Sequence, residues 1–170
     1  MTTKLRVGAA TALLLLIASV AVASAASSRD KRSSRSDHSD SIVLHLLAKE
    51  VQETYVDAGD PDYSQGDVFV FNNHLFRGDK KVGEDGGACI VSFVAPDGAS
   101  TIYCSGSNSL PGGQIATAGL VDYGPTEEVK QDPYSLPITG GTGKYRAARG
   151  EVTIKELSTK EFRLTFRVIL

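Results

Sequence analysis

The sequence predicts an all-β domain whose eight antiparallel strands close into a barrel. Three observations carry this expectation. Period-two alternation recurs along the chain. It is cleanest from Glu161 to Ile169, where Phe162, Leu164, Phe166 and Val168 share one face and Glu161, Arg163, Thr165 and Arg167 the other. Turn chemistry separates the alternating runs, as in Asp57-Ala-Gly-Asp-Pro, Pro96-Asp-Gly, Pro111-Gly-Gly and Gly140-Gly-Thr-Gly. Past residue 41 no stretch shows a helical period. Eight strands at this spacing fit a small closed barrel, which leaves no exposed edge; a two-sheet sandwich is the structural alternative.

The strands follow in order. Ile42 to Tyr55 places Ile42, Leu44, Leu46 and Ala48 on one face and His45, Lys49 and Glu53 on the other. Shorter runs follow at Val68 to Phe76, Ala88 to Phe93, Ser100 to Cys104, Gln114 to Val121 and Ser135 to Thr139. Ala148 to Leu157 and Glu161 to Ile169 close the set. An eight-stranded barrel has room inside for side chains or one small ligand.

The 170 residues divide into three parts, of which one is a domain. Lys4 and Arg6 precede an apolar run of 16 residues, Val7 to Val22, and Ala23-Ser24-Ala25 supplies the small-x-small cleavage pattern. Residues 1–25 are therefore expected to be a signal peptide, and the mature chain to be secreted to the extracellular side. The run is shorter than the roughly 20 residues that span a bilayer, so no stable membrane anchor is expected after processing. Residues 26–41 hold no apolar side chain beyond Ala26 and read as a disordered polar linker, which leaves 42–170 as the barrel domain. A net charge of -2 argues against a nucleic-acid partner.

Several faces that should point inward carry polar groups. In the first strand, the face of Leu44, Leu46 and Ala48 continues with Glu50 and Gln52. In the second, Phe69, Phe71 and Leu75 share theirs with Asn73. In the third, Cys89 accompanies Val91 and Phe93. A carboxylate in an apolar cavity is costly unless hydrogen-bonded or protonated, and is a candidate acid, base or electrostatic stabiliser. The opposing reading, weighed evenly, puts Glu50 and Gln52 past the barrel's end in solvent. Cys89 and Cys104 flank a hairpin centred between Pro96 and Asp97, so they can stand directly opposite each other, and a disulfide is favoured over free thiols.

Gly66-Asp-Val-Phe-Val-Phe-Asn-Asn-His-Leu-Phe-Arg-Gly-Asp79, with Val82-Gly and Cys89 after it, resembles plant allene oxide cyclases. Leu136-Pro-Ile-Thr-Gly-Gly-Thr-Gly-Lys-Tyr-Arg-Ala-Ala-Arg-Gly150 resembles the matching motif of dirigent proteins, which share that barrel superfamily. The resemblance runs from about Leu46 to Leu170. It implies catalytic roles for Glu50, Asn73 and Gln52, where Gln replaces the family's Asn, and a pocket position for Cys89; the inward apolar face adds Phe69 and Phe71 as substrate-binding candidates. The family's loop Pro has no clear partner, Pro61 being the nearest candidate. The dirigent Arg matches Arg149, which strict alternation puts on the outer face unless a bulge near Gly150 turns it inward. The resemblance further implies an apolar small-molecule ligand, no cofactor, and a homodimer or homotrimer.

Other signals fail on their spacing. Gly140-Gly-Thr-Gly-Lys144 lacks the Walker residues, having Ile138 and Tyr145 where Gly and Ser or Thr belong. Asp60-Pro-Asp62-Tyr-Ser64 lacks the calcium loop's Gly and Glu, with Gln65 and Phe71 there. His38, His45 and His74 have no metal-ligand spacing, so no metal is expected. Two functions remain. One is a barrel that steers the cyclisation or coupling of an apolar reactive substrate, as a cofactor-independent isomerase would. The other is a non-catalytic secreted carrier or structural barrel.

Overall fold

The computed structural model describes residues 41–59, 63–125 and 133–170. The expected signal peptide, all but the last residue of the expected linker, and Pro61 lie outside the described residues.

Eight strands form one closed antiparallel barrel in simple sequence order: β1 (Ser41–Val56), β2 (Val68–Arg77), β3 (Lys80–Val94), β4 (Ser100–Leu110), β5 (Gly113–Tyr123), β6 (Tyr134–Gly141), β7 (Arg149–Ser158) and β8 (Glu161–Ile169). The sandwich alternative is thereby excluded. Closure comes from β8 pairing with β1, from Ser41 opposite Ile169 to Lys49 opposite Glu161. The alternation read along β8 holds: Leu164, Phe166 and Val168 are buried and Arg163 and Arg167 exposed.

Two strands are longer than their hydrophobic pattern indicates. β3 begins at Lys80, eight residues before the expected Ala88, and β4 runs six residues past Cys104 to Leu110. The added stretches are rich in Gly, Ser and acidic residues. Here the glycines serve close strand packing: a Cβ on Gly87 would lie 2.2 Å from the Ser105 carbonyl oxygen.

The two sequence motifs have structural duties. Asp67 is fully buried and tethers the segment that follows β1. Its carboxylate accepts hydrogen bonds from the Tyr55 hydroxyl (2.5 Å), the Ala58 amide (3.0 Å) and the Ser64 amide (2.7 Å). The Tyr55 hydrogen bond foremost, then the two amides, hold the Asp67 carboxyl below its usual range. The same bond pushes the Tyr55 hydroxyl up to about 12. Asp67→Ala is expected to lower the melting temperature and expose the 57–67 segment to proteolysis. Unchanged melting and cleavage would show the tether to be dispensable.

The glycine-rich run after β6 makes a short 3-10 turn, Gly143–Tyr145, that presses on the β4–β5 connection. The Lys144 amide donates to the Gly112 carbonyl at 2.8 Å, and a Cβ on Gly143 (φ +58°) would meet that oxygen at 2.1 Å. The run is thus a close-packing device, in keeping with its failure as a phosphate loop.

Candidate functional site

A cavity of about 350 Å³ lies inside the barrel. That is at the small end of ligand pockets, suited to a compact molecule. Its chemistry comes from one in-register row. Glu50 on β1 stands opposite Asn73 on β2, Asn73 opposite Asp85 on β3, and Asp85 opposite Asn108 on β4. All four line the cavity. Directly opposed antiparallel residues have Cβ atoms about 4.5–5.5 Å apart, so the row is a continuous polar band.

To one side of this band the inward positions are Ala48, Leu75 and Leu110, all buried. To the other are Phe71 and Gly106 and then Phe69, Cys89 and Cys104. A Cβ on Gly106 would stand 3.3 Å from the Gly86 carbonyl oxygen and 3.8 Å from the Phe71 ring tip, so glycine here lets β3 and β4 approach closely beside that ring. The facing wall is apolar and comes from β6, β7 and β8 through Leu136, Val152, Ile154, Phe162, Leu164 and Phe166.

Asp85 is the group most altered by this setting. Burial pushes its carboxyl up to about 6, against the lowering effect of hydrogen bonds from Asn73. The Asn73 side-chain amide donates to Asp85 Oδ1 at 2.8 Å. Asn108 donates to the Ile115 carbonyl at 3.4 Å. Tyr134 and Tyr123 are pushed upward chiefly by burial, Tyr134 to about 12, so both phenols stay protonated and neutral. Glu50 is mostly buried, with Lys160 Nζ 3.8 Å from its carboxylate at the barrel's end.

Of the residues expected in the pocket, Glu50, Asn73, Phe69, Phe71 and Cys89 line it. Cys89 is joined to Cys104, directly opposite on β4, with Cα atoms 4.0 Å apart. Both cysteines line the cavity, and no free cysteine remains among the described residues.

Gln52 does not converge on the cavity. A bulge between Glu50 and Gln52 inserts one residue into β1, which moves Gln52 to the outer wall opposite Asn72. The inward position passes to Glu53, opposite Phe71. Arg149 is also outside: it is exposed, opposite Ile169, and β7 keeps its register with β8 through Gly150. Gln52→Ala and Arg149→Ala are accordingly expected to change stability by less than about 0.5 kcal/mol and ligand affinity not at all, as titration calorimetry and thermal melts would record.

Sequence reading missed Asp85, Asn108, Glu53 and the tyrosines. Asp85 and Asn108 lie in the two strand extensions that carry little hydrophobic signal. Among the described residues no cluster of His, Cys, Asp or Glu has metal-binding geometry.

Residues 47–170 match the family model of the allene oxide cyclase barrel-like domain. No protein of curated function matches the chain significantly. Among solved structures, a pyocyanin demethylase is 31% identical, with a TM-score of 0.65, over 74% of this chain and 99% of the other. AbnU, an exo-specific intermolecular Diels-Alderase, is 15% identical with a TM-score of 0.62, over 76% of this chain and 98% of its own. The Diels-Alderase AbmU from Streptomyces koyangensis is 21% identical with a TM-score of 0.62, over 79% and 71%.

Proposed function

The chain belongs to the allene oxide cyclase barrel-like family, and from that premise we propose that its cavity binds a compact, largely apolar, reactive molecule and steers its rearrangement. The observation that carries this reading is the cavity with Asp85 at its polar wall. A carboxyl with a pKa of about 6 is partly protonated near neutrality and can give or take a proton. The apolar wall holds the substrate's body in one conformation, which supplies proximity and excludes competing geometries. Glu50 and Asn73 then face the reacting part, where a fixed carboxylate stabilises developing positive charge.

The 31% identity to a pyocyanin demethylase favours a second reading, in which pyocyanin itself is the substrate. One experiment addresses both. The purified full chain is incubated with pyocyanin and with a panel of polycyclic molecules, and melting and products are followed. A true ligand at a hundred times its Kd adds about 2.7 kcal/mol of stability. Conversion of pyocyanin by water, in which the methyl carbon leaves as formaldehyde and the ring keeps the two electrons as the reduced hydroxyphenazine, establishes the second reading if it is abolished in Asp85→Asn. Rearrangement of another ligand, with the same dependence on Asp85, establishes the first. A barrel that no panel member stabilises, and that converts none, is a structural protein and ends both.

The same reading includes export. The Cys89–Cys104 disulfide fits an oxidising compartment, as does the leader pattern of residues 1–25. Sequencing of the exported protein is expected to begin at Ala26. Recovery of chain starting at Met1 from a membrane fraction would contradict it.

A further inference from the structure

The disulfide lies on the inner side of the barrel wall. Cys89 and Cys104 are opposed in register on β3 and β4, and both line the cavity. Their chain neighbours Ile90 and Tyr103 face outward, 44% and 43% exposed, so period-two alternation turns the cysteine side chains inward. Beyond Cβ a cysteine carries one heavy atom, its sulfur, so the bond itself stands on the cavity side of the sheet. The β3–β4 ladder runs unbroken from Glu84 opposite Ser109 to Val91 opposite Ile102, which closes the outer face over it. Paired strands stand about 4.8 Å apart and leave no passage between them for a reagent.

The cavity is sealed at one end of the barrel, where Leu75, Ile115, Tyr145 and Val168 are almost wholly buried and none of them lines it. At the other end Tyr63 both lines the cavity and is 42% exposed. Its ring centre lies 6.3 Å from that of Phe69, and Phe69 stands opposite Cys89. The disulfide is thus one side chain in from the mouth. Cys104 is 5% exposed whereas Cys89 is only partly buried, which makes the Cys89 sulfur the more accessible of the two.

We propose that the Cys89–Cys104 bond is an exchange site for low-molecular-weight thiols, reached only through the cavity and closed to protein reductants. The incoming thiolate attacks Cys89 Sγ. A bond forms between those two sulfurs, the Cys89–Cys104 bond breaks, and its electron pair leaves on Cys104 Sγ, which takes up the proton that the thiol released. A second thiolate attacks the mixed disulfide at the first thiol's sulfur. That step releases the oxidised thiol and leaves Cys89 as a thiolate, which is protonated in turn. Two thiol groups are oxidised to one disulfide, and the protein gains two electrons and two protons. The site is separate from the chemistry proposed for Asp85 and holds whether or not the cavity converts a substrate. A molecule seated in the cavity shuts the same path, so occupancy protects the bond.

Reduction of the folded full-length protein in low urea separates the routes. Dithiothreitol is small enough to enter the cavity; reduced thioredoxin carries its dithiol on a protein surface and is not. Samples are quenched with iodoacetamide, and mass spectrometry counts the reduced pairs. Below the unfolding transition the dithiothreitol rate is expected to stay constant with urea to within about twofold, because the barrel need not open. The thioredoxin rate is expected to rise about tenfold for each 1.4 kcal/mol of stability that urea removes, the signature of a route through the unfolded chain. Rates that climb in parallel for both reductants would overturn the proposal, because the bond would then be reached by unfolding alone. A thioredoxin rate insensitive to urea would overturn it too, because the bond would then be open to the outside.

Discussion

Replacing both cysteines, Cys89→Ala with Cys104→Ala, is expected to cost about 3 kcal/mol of stability and about 10 °C of melting temperature. The sulfurs join β3 to β4 at directly opposed positions 15 residues apart, so the bond closes a loop of modest length. In the chain-entropy account its main effect is to restrict the unfolded chain; a partly enthalpic origin is also argued, and the expected size is similar. Alanine at both sites avoids leaving a reactive thiol in the cavity wall. The same loss should appear in wild-type protein once fully reduced. Equal urea midpoints for wild type, reduced wild type and the double variant would show that the barrel's pairing makes the bond redundant. Because both cysteines line the cavity, the variant should also loosen ligand binding.

Asp85→Asn is expected to act oppositely on stability and function. The folded-state carboxyl titrates near 6, above its ordinary value of 3.8. Between those values the folded protein holds a proton that the unfolded chain has released. Stability from this group is therefore fully present below about pH 4 and is lost as pH rises through about 6. A shift of this size corresponds to up to about 3 kcal/mol. The amide cannot ionise, so the variant should match wild type in acid and exceed it above pH 6. Asn73 keeps an oxygen to donate to. Conversion of any substrate should fall at the same time, since the proton-exchanging group is gone. That pairing of gained stability with lost function marks a functional site. Melting curves at pH about 4 and about 8 decide the matter. A variant less stable than wild type at the higher pH would show that the Asp85 charge is satisfied by the fold.

The barrel was legible because alternation survives on most strands, and β8 shows it without interruption. Half of the site was legible for the same reason: Asn73, Phe69, Phe71 and Cys89 sit on faces whose other members are plainly apolar. Asp85 and Asn108 were hidden by chemistry that mimics a loop. Gly83, Gly86 and Gly87 break the pattern around Asp85, yet Gly83 and Gly87 permit the close strand approach that builds this end of β3. Gln52 was misplaced because period-two counting cannot see a bulge; one inserted residue exchanged it for Glu53. Arg149 needed a bulge in β7 that is not there. Neither irregularity leaves a mark on hydrophobic periodicity, which records which residues are apolar and not where the count slips.

Asp85 sits desolvated at the wall of the cavity. Carbon-13 NMR of the Asp85 side-chain carboxyl, assigned through Asp85→Asn, tests it most directly. In the free protein the carboxyl should titrate with a midpoint near 6, because burial disfavours its charged form. A midpoint near 3.8 would show that the carboxyl is solvated and that the cavity does not disfavour its charge.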